Sequence, residues 1–251
     1  MTEIVWITGA SKGIGRALAL EMASRGRTVV ASARSEDELK DLANEASAHS
    51  GTIVGYPLDV TDLGAVKQAI GAIEAQHGAI DTAVLNAGTH QPVTPQKFSV
   101  GDMRKLFELN VFGTANCIEA LLPPFLERKR GRLAIVASVA GYGGLPTAAY
   151  YGSSKAAMIN LAETLRLDLA KTDIVVQCIN PGFVKTPLTD KNKFKMPFLI
   201  EAEVAAKRIA DGLATDRFEI AFPRPFIAIM KFLRLLPYSL YFGLISRQTG
   251  S

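Results

Sequence analysis

The sequence predicts a doubly wound α/β fold, in which helices cover both faces of one parallel sheet of seven strands. Short runs that are apolar at nearly every position alternate with longer stretches of helical periodicity, from residues 3–8 ("EIVWIT") to residues 218–222 ("FEIAF"). Strands without a polar face are typical of parallel sheets that are buried on both sides. The chain of 251 residues contains no repeat and no linker-like segment, so one domain is expected.

The alternation assigns each element in order. Thr61 or Asp62 is placed to cap the third helix, because either side chain can accept a hydrogen bond from a free backbone N–H group. Pro123 and Pro124 interrupt a long helical pattern and predict a break there. Strands are expected at residues 3–8, 27–33, 51–59, 80–88, 131–138, 173–180 and 218–222, and helices at 14–22, 36–48, 62–77, 100–127, 148–171 and 201–213.

Charge separates the C-terminal segment from the rest of the chain. The net charge is +4, and residues 223–251 contain four basic side chains and no acidic one, so the remaining 24 basic residues match the 24 acidic ones. A nucleic-acid-binding protein is expected to spread a basic face over its fold, so this distribution argues against that class. It predicts instead a catalytic domain at residues 1–222 and an apolar, basic, helical extension at residues 223–251.

The cysteines and histidines of the sequence indicate whether disulfides or a metal site are expected. Cys117 and Cys178 both lie in apolar runs, so buried free thiols in a reducing compartment are expected. No signal peptide opens the sequence, which favours a cytoplasmic location. His49, His77 and His90 lie among polar neighbours without the spacing of metal ligands, so no metal site is predicted.

The first predicted strand runs into a glycine-rich turn, "TGASKGIGRAL" at residues 8–18. Glycine lets the backbone approach a phosphate, and the following helix supplies free N–H groups and positive potential. The spacing G-x-x-x-G-x-G is neither a Walker loop nor G-x-G-x-x-G. A tight turn without a ligand is the alternative, but the strand before and the helix after favour a dinucleotide. The expected contacts are Gly9, Ser11, Lys12, Gly13, Ile14 and Gly15.

The next three strand ends extend this site. Arg34 follows the tip of the second strand, where an acidic residue would hold the ribose 2′-hydroxyl of NAD. Arg34 and Lys12 can instead bind the 2′-phosphate of NADP(H), which is the favoured interpretation. The alternative is that both are solvated surface side chains without a ligand. Asp59 is placed to accept a hydrogen bond from the amino group of adenine, with Val60 against the adenine ring, or alternatively Asp59 caps a helix. The fourth strand ends in "LNAG", where the chain is expected to run along a ribose or form a plain turn, through Asn86, Ala87 and Gly88.

The fifth strand ends at Ser138, and thirteen residues later comes Tyr151. Lys155 lies four residues after Tyr151, on the same face of a predicted helix. The adjacent Tyr150 points elsewhere and is expected to serve packing or the pocket wall. Asn110 lies inside a helical pattern that it does not favour, which predicts a kink or a bound water.

Together these residues resemble the short-chain dehydrogenase/reductase family. The motifs "TGASKGIG", "LNAG", "YGSSK" and "NPGFVKT" occur in the usual order with Asn110 and Ser138, over about residues 3–222. The resemblance implies a Rossmann fold, a homodimer or homotetramer, and an NADPH-dependent reductase of a ketone or aldehyde, or the reverse alcohol dehydrogenase. A regulatory or scaffold protein that binds NADP(H), and an epimerase or dehydratase, are the alternatives. The presence of all four residues Asn110, Ser138, Tyr151 and Lys155 speaks against the first, and the short chain speaks against the second.

The resemblance also implies residue roles. Tyr151 is the general acid or base, Ser138 holds the carbonyl oxygen, Lys155 binds the nicotinamide ribose and lowers the tyrosine pKa, and Asn110 holds a water. The nicotinamide end is expected to contact Pro181, Gly182, Val184 and Thr186.

Two C-terminal segments leave alternatives open. An apolar stretch after "NPGFVKT" is expected to form a lid over an apolar or lipid-like substrate, or to pack against the sheet, through Phe194, Met196, Pro197, Phe198, Leu199 and Ile200. Residues 225–247 are mostly apolar but interrupted by basic residues and Pro237, so a membrane-spanning helix is not expected. Three roles are expected for these residues: they lie on a membrane surface, they pack across a subunit interface, or they form a wall of the substrate pocket.

Overall fold

A computed structural model describes residues 2–192 and 196–249 of the chain. Its seven strands are all parallel, in the order β3-β2-β1-β4-β5-β6-β7, which confirms the predicted doubly wound sheet. The order reverses between β1 and β4, where such sheets open a crevice at the carboxyl ends of the strands. The strands are β1 Ile4–Thr8, β2 Thr28–Ala33, β3 Thr52–Pro57, β4 Thr82–Leu85, β5 Arg130–Val136, β6 Asp173–Pro181 and β7 Glu219–Phe222.

Helices fill the intervals between strands and cover both faces of the sheet. Asp62 caps the third helix, because its Oδ1 atom accepts a hydrogen bond of 3.0 Å from the Ala65 N–H, as one of the two predicted caps requires. The helices are α1 Gly13–Ser24, α2 Glu36–Glu45, α3 Leu63–His77, α4 Val100–Phe107, α5 Gly113–Glu127, α6 Ala149–Asp168, α7 Ala202–Leu213, α8 Arg224–Leu235 and α9 Tyr238–Thr249.

The core consists of one apolar layer on each face of the sheet. Leu18 of α1 and Ile209 of α7 pack on one face, and Ile73 of α3 and Phe125 of α5 pack on the other. Trp6 of β1 is fully buried in the second layer, and its indole N–H donates to the Ser32 hydroxyl at 2.9 Å. These layers hold the strand ends in fixed positions around the crevice.

The predicted break at Pro123 and Pro124 is wrong. Both prolines lie inside α5, while the interruption occurs earlier, at a π-helical turn over residues 108–112. Phe125 is fully buried against the sheet, and the Pro124 carbonyl still accepts a bond from Arg128, so packing holds the final turn in a helix. The π turn contains Asn110, where the sequence predicts a kink.

The C-terminal residues form two short helices, α8 and α9, which meet at Pro237. Phe226, Met230 and Leu233 of α8 and Tyr241 of α9 are buried against the loop that follows β5. Within the described residues, no helix combines the length and apolar character needed to cross a membrane. The domain boundary at residue 222 stays a prediction. The free thiols of Cys117 and Cys178 are buried, as expected.

Candidate active site

A groove of about 500 Å³ runs along the carboxyl ends of β1 to β4. Its volume lies within the range of cofactor sites. The predicted residues that line it are Gly9, Ser11, Lys12, Gly13, Ile14, Arg34, Asp59, Val60, Asn86, Ala87, Gly88 and Thr186. Ser35, Glu38, Leu58, Leu109, Pro187, Leu188 and Lys191 also line it, and the sequence motifs did not single them out.

The glycine turn brings β1 close to β4. Gly9 has a φ of +65°, and a Cβ atom there would lie only 2.8 Å from the Ala87 Cα atom. Gly15 lies outside the groove lining, and its close approach is to the Gly9 carbonyl. Asn86 fixes the same junction, because its amide donates to the Thr8 and Gly9 carbonyls at 3.0 and 3.1 Å. Only glycine fits at positions 9 and 15.

The N-terminus of α1 is open toward the groove. No described side chain caps it, whereas Ser35, Asp62 and Ser99 cap α2, α3 and α4. Its first N–H groups therefore lack side-chain partners, and they carry the positive end of the helix dipole. This is the local arrangement that binds phosphate groups.

One carboxylate near the groove was missed in the sequence. Glu38, in the first turn of α2, forms an ion pair of 2.6 Å with Lys12, and the lysine holds the pKa of that carboxyl below its usual range. Glu38 and Arg34 therefore line the same part of the groove with opposite charges. A helix places Glu38 four residues from Arg34, near the tip of β2, a proximity that strand-end reasoning overlooks.

Asp59 is held by its own neighbour. The N–H and hydroxyl groups of Thr61 both donate to its Oδ1 atom, at 3.0 and 2.8 Å, and they lower the pKa of the carboxyl. Arg34 contributes a smaller lowering through its charge. The adenine contact of Asp59 stays a prediction.

Asn110, Ser138, Tyr151 and Lys155, the catalytic tetrad that the resemblance implies, lie close to the groove or to a second, smaller cavity that shares Leu188 with it. Ser138 and Tyr151 line the smaller cavity, and their side chains are hydrogen bonded to each other. Lys155 is buried, with its Nζ atom 5.7 Å from the Tyr151 ring centre and 2.8 Å from the Val136 carbonyl oxygen that accepts from it. A Cβ atom on Gly88, which lines the groove, would lie 3.6 Å from the same Nζ atom. The lysine thus adjoins both cavities.

Burial dominates the electrostatics of this junction. It raises the pKa of the Tyr151 hydroxyl, and the hydrogen bond with Ser138 offsets part of the rise. It also lowers the pKa of Lys155 to about 8. The Lys155 ammonium group is itself buried and donates to a carbonyl, and the lowering of the tyrosine pKa that the resemblance assigns to it stays a prediction.

Asn110 is fully buried and its amide is engaged on both ends. Its Oδ1 atom accepts from the Thr89 N–H at 2.7 Å, and its Nδ2 atom donates to the Thr89 carbonyl and to the Ser154 hydroxyl. These bonds tie the loop after β4 to α6, the helix of Tyr151 and Lys155. The role of Asn110 in holding a water stays a prediction.

Residues of the loop after β6 line both cavities. Thr186 lines the groove and Gly182 lines the smaller cavity. Val184 is buried and pairs with Ile200 in an isolated bridge, and Pro181 ends β6, where its carbonyl accepts from Ser138 at 3.4 Å. Neither Pro181 nor Val184 faces either cavity, so their predicted contacts with nicotinamide stay predictions.

The smaller cavity, about 90 Å³, is named the substrate pocket here. Its apolar wall includes Val139, Leu145 and Phe183. Its polar residues besides Ser138 and Tyr151 include His90 and Asn192, which the sequence did not single out. His90 follows Gly88 by two residues, and this position after "LNAG" was the available signal.

The predicted lid is partly described. Phe194 lies outside the described residues, whereas Phe198 and Leu199 are exposed, with the Phe198 ring 6.0 Å from Phe226 of α8. Ile200 packs against the core beside α7. Met196 accepts a bond from Asn192 at 3.4 Å, and Pro197 follows it.

Tyr150 and Tyr151 separate as expected. Tyr150 is fully buried with Val93 and Leu106, away from both cavities, and its hydroxyl accepts from the Ser99 N–H at 2.5 Å. It therefore packs rather than lining the pocket.

Comparison with known proteins agrees with this geometry. A family model described as "short chain dehydrogenase" matches residues 3–196. An "Uncharacterized oxidoreductase" of Myxococcus xanthus is 39% identical over 235 residues, 94% of this chain and 93% of that protein. The 3-oxoacyl-[acyl-carrier-protein] reductase FabG of Thermotoga maritima is 33% identical over 189 residues, 75% of this chain and 77% of the relative. The solved structure "ElxO with NADP Bound" matches with a TM-score of 0.79 at 28% identity, over 88% of this chain and 98% of that one.

Proposed function

The chain belongs to the short-chain dehydrogenase family, and we propose on this basis that it is an oxidoreductase that uses NADP(H) to interconvert a carbonyl compound and its alcohol. The observation that carries the proposal is the position of Lys155, which adjoins the groove on one side and Tyr151 on the other. A proton donor and a cofactor-sized groove therefore meet at one point.

The groove fits a phosphorylated dinucleotide. The open N-terminus of α1 suits the pyrophosphate, and Arg34 is exposed beside the groove, where a guanidinium can hold a 2′-phosphate. ElxO, at 28% identity, binds NADP, which supports the same cofactor here. When bound, NADPH supplies the hydride, and the protein positions and polarises the substrate.

The side chains divide the remaining chemistry. Ser138 holds the carbonyl oxygen by donating a hydrogen bond, and Tyr151 transfers its hydroxyl proton to that oxygen as the alcohol forms. The phenolate that remains lies beside the Lys155 ammonium group, whose charge we expect to stabilise it once substrate and cofactor are bound. In the oxidative direction the phenolate takes the proton back. Asn110 holds the loop after β4 against α6 through its hydrogen bonds with Thr89 and Ser154.

The substrate is a ketone or aldehyde with an apolar body. Val139, Leu145, Phe183 and Leu188 provide apolar surface around the reacting end. FabG of Thermotoga maritima, whose name specifies an acyl chain, supports the same preference.

The test is NADPH oxidation with a panel of ketones and aldehydes of increasing chain length, and NADP⁺ reduction with the matching alcohols. We expect turnover that increases with chain length. If no compound in either direction is turned over while NADPH still binds, the regulatory or scaffold alternative replaces the enzyme.

Residues 225–247 form a second proposed contact, with the surface of an anionic membrane. Phe232, Leu235, Tyr238 and Phe242 are exposed on α8 and α9, and no acidic residue lies in residues 223–251. We expect the chain to sediment with anionic but not neutral vesicles, and expect deletion of residues 225–251 to abolish it. Failure of the intact chain to sediment with anionic vesicles rejects this contact.

A homodimer or homotetramer stays a prediction. Light scattering of the same samples measures the number of subunits.

A further inference from the structure

A partly buried carboxylate at the start of β7, that of Glu219, accepts hydrogen bonds from three side chains. Its Oε1 atom accepts from the Tyr142 hydroxyl at 2.5 Å and from the Asn180 amide at 3.0 Å. Its Oε2 atom accepts from the Lys231 ammonium group. The three donors belong to the loop after β5, to strand β6 and to helix α8. One carboxylate therefore ties the C-terminal extension to two segments whose neighbouring residues line the substrate pocket.

The protonation states of these groups favour the three bonds. Burial raises the pKa of the Glu219 carboxyl, but its three donors together lower it below the usual range, so the group is a carboxylate near pH 7. Burial and this carboxylate raise the pKa of the Tyr142 hydroxyl, which therefore stays a donor. Hydrogen bonds to a charged acceptor are shorter and stronger than bonds between neutral groups.

Tyr142 holds the turn that begins at Ser138. This turn is a short 3₁₀ helix over residues Val139–Gly141, with Ser138 before it and Tyr142 after it. The Ser138 hydroxyl accepts from the Ala140 N–H at 3.2 Å. The bond from the Tyr142 side chain to Glu219 therefore fixes the end of the turn whose start carries the serine.

Asn180 holds the second partner of the serine. The Ser138 hydroxyl donates to the Pro181 carbonyl at 3.4 Å, and Asn180 directly precedes Pro181 in β6. Asn180 is buried, and its bond to Glu219 fixes this part of the strand. Tyr142, Asn180 and Glu219 line neither the groove nor the substrate pocket, so their effect on the reaction would pass through the position of Ser138.

We propose that Glu219 is a positioning residue that orients the Ser138 hydroxyl toward the carbonyl oxygen of the substrate. It acts through the bonds from Tyr142 and Asn180, because networks of directional hydrogen bonds define one arrangement of the groups that they join. Lys231 takes part, since it pairs with the carboxylate and its Nζ atom lies 5.8 Å from the centre of the Tyr142 ring. Helix α8 therefore supports the active site from outside the pocket. This proposal rests on the proposed function, in which Ser138 donates to that oxygen.

A double-mutant cycle tests this role with Tyr142→Phe, which removes the hydroxyl and keeps the ring. We expect it to lower kcat/KM for the carbonyl substrate about 10-fold, with NADPH affinity unchanged. In the Ser138→Ala chain, which has no hydroxyl to orient, we expect the same change to cost less than about 2-fold. Single-turnover NADPH oxidation at high enzyme concentration measures the slow Ser138→Ala chains. A general loss of stability would lower activity equally in both backgrounds, so the cycle separates positioning from folding.

Variants of α8 test the contribution of the extension. Lys231→Met removes the charge that pairs with Glu219, and we expect it to lower kcat/KM about 5-fold, whereas Lys231→Arg keeps a cation there and most of the activity. Arg234→Met is the matched control, because Arg234 is an exposed cation on the same helix. Equal losses in Lys231→Met and Arg234→Met would exclude α8 from the role.

The outcomes separate this role from the proposed function. A loss of equal size from Tyr142→Phe in the wild-type and Ser138→Ala backgrounds, or no loss in the wild type, overturns the positioning role while the proposed oxidoreductase stands. Tyr150→Phe is the control for the cycle, because it also removes a tyrosine hydroxyl that accepts or donates a bond outside both cavities. If the wild type turns over no member of the carbonyl panel, the proposed function fails, and this proposal fails with it.

Discussion

The groove and the substrate pocket share Leu188 in their linings but are built in different ways. Most of the groove comes from the ends of β1 to β4, where backbone geometry decides which residues fit. The pocket is lined by residues from the loops after β4, β5 and β6 and by Tyr151 of α6. Behind it, α8 and α9 pack on the loop after β5.

This difference shows which part of an enzyme site is general and which is particular. A groove defined by backbone needs glycine at fixed positions, such as Gly9, whatever the substrate. A pocket defined by side chains changes with each residue in it. Variants in the two regions should therefore separate cofactor effects from substrate effects.

The largest effect is expected at Lys155, because it adjoins both regions. We expect Lys155→Met to lower kcat/KM by about 10³-fold or more and to weaken NADPH binding, since the ammonium group beside Gly88 and the Tyr151 ring is lost. Steady-state kinetics and fluorescence titration measure the two effects. Lys207→Met, on the exposed surface of α7, is the control. A loss of turnover with unchanged NADPH affinity would confine the lysine to the pocket.

Arg34 should affect the groove alone. We expect Arg34→Asp to shift the ratio of kcat/KM with NADPH and NADH by about 100-fold toward NADH, because the aspartate repels a 2′-phosphate and accepts from a 2′-hydroxyl. The KM of the carbonyl substrate should change little. Equal use of both cofactors by the wild type would contradict the assignment.

Tyr241 should affect the pocket alone. Its hydroxyl donates to the Gly144 carbonyl at 2.7 Å, and this bond holds the loop after β5 from outside. We expect Tyr241→Phe to raise the substrate KM about 5-fold with no change in NADPH affinity. Tyr238→Phe is the matched control, because Tyr238 lies on the same helix and its ring is exposed. Identical kinetics of the two variants would show that α9 does not shape the pocket.

Glu38 should give the smallest effect of these four. Removing its charge frees Lys12 from their ion pair, so we expect Glu38→Gln to tighten NADPH binding about 2- to 5-fold. NADH binding serves as the internal control, since it lacks the 2′-phosphate. A weaker NADPH affinity would instead mean that Glu38 orients Lys12 for the cofactor.

Features that depend on backbone geometry could be predicted from the sequence, whereas side chains that reach a cavity from a helix or loop could not. The sheet could be predicted because buried parallel strands must be apolar on both faces, and the glycine turn because few residues fit its backbone. Glu38 and His90 were missed because each reaches its cavity from a helix or loop whose path the local sequence does not specify. The helix through Pro123 and Pro124 was missed because the burial of Phe125 outweighs local propensity.

We propose that Tyr151, and not its neighbour Tyr150, transfers the proton. The direct measurement is turnover and NADPH binding of Tyr151→Phe beside Tyr150→Phe, which remove one hydroxyl each from adjacent residues. We predict that Tyr151→Phe binds NADPH as the wild type does and loses at least about 10³-fold in kcat. We predict that Tyr150→Phe keeps its turnover but loses about 1–3 kcal/mol of stability, because the Ser99 N–H loses its acceptor. Wild-type turnover in Tyr151→Phe would contradict the assignment.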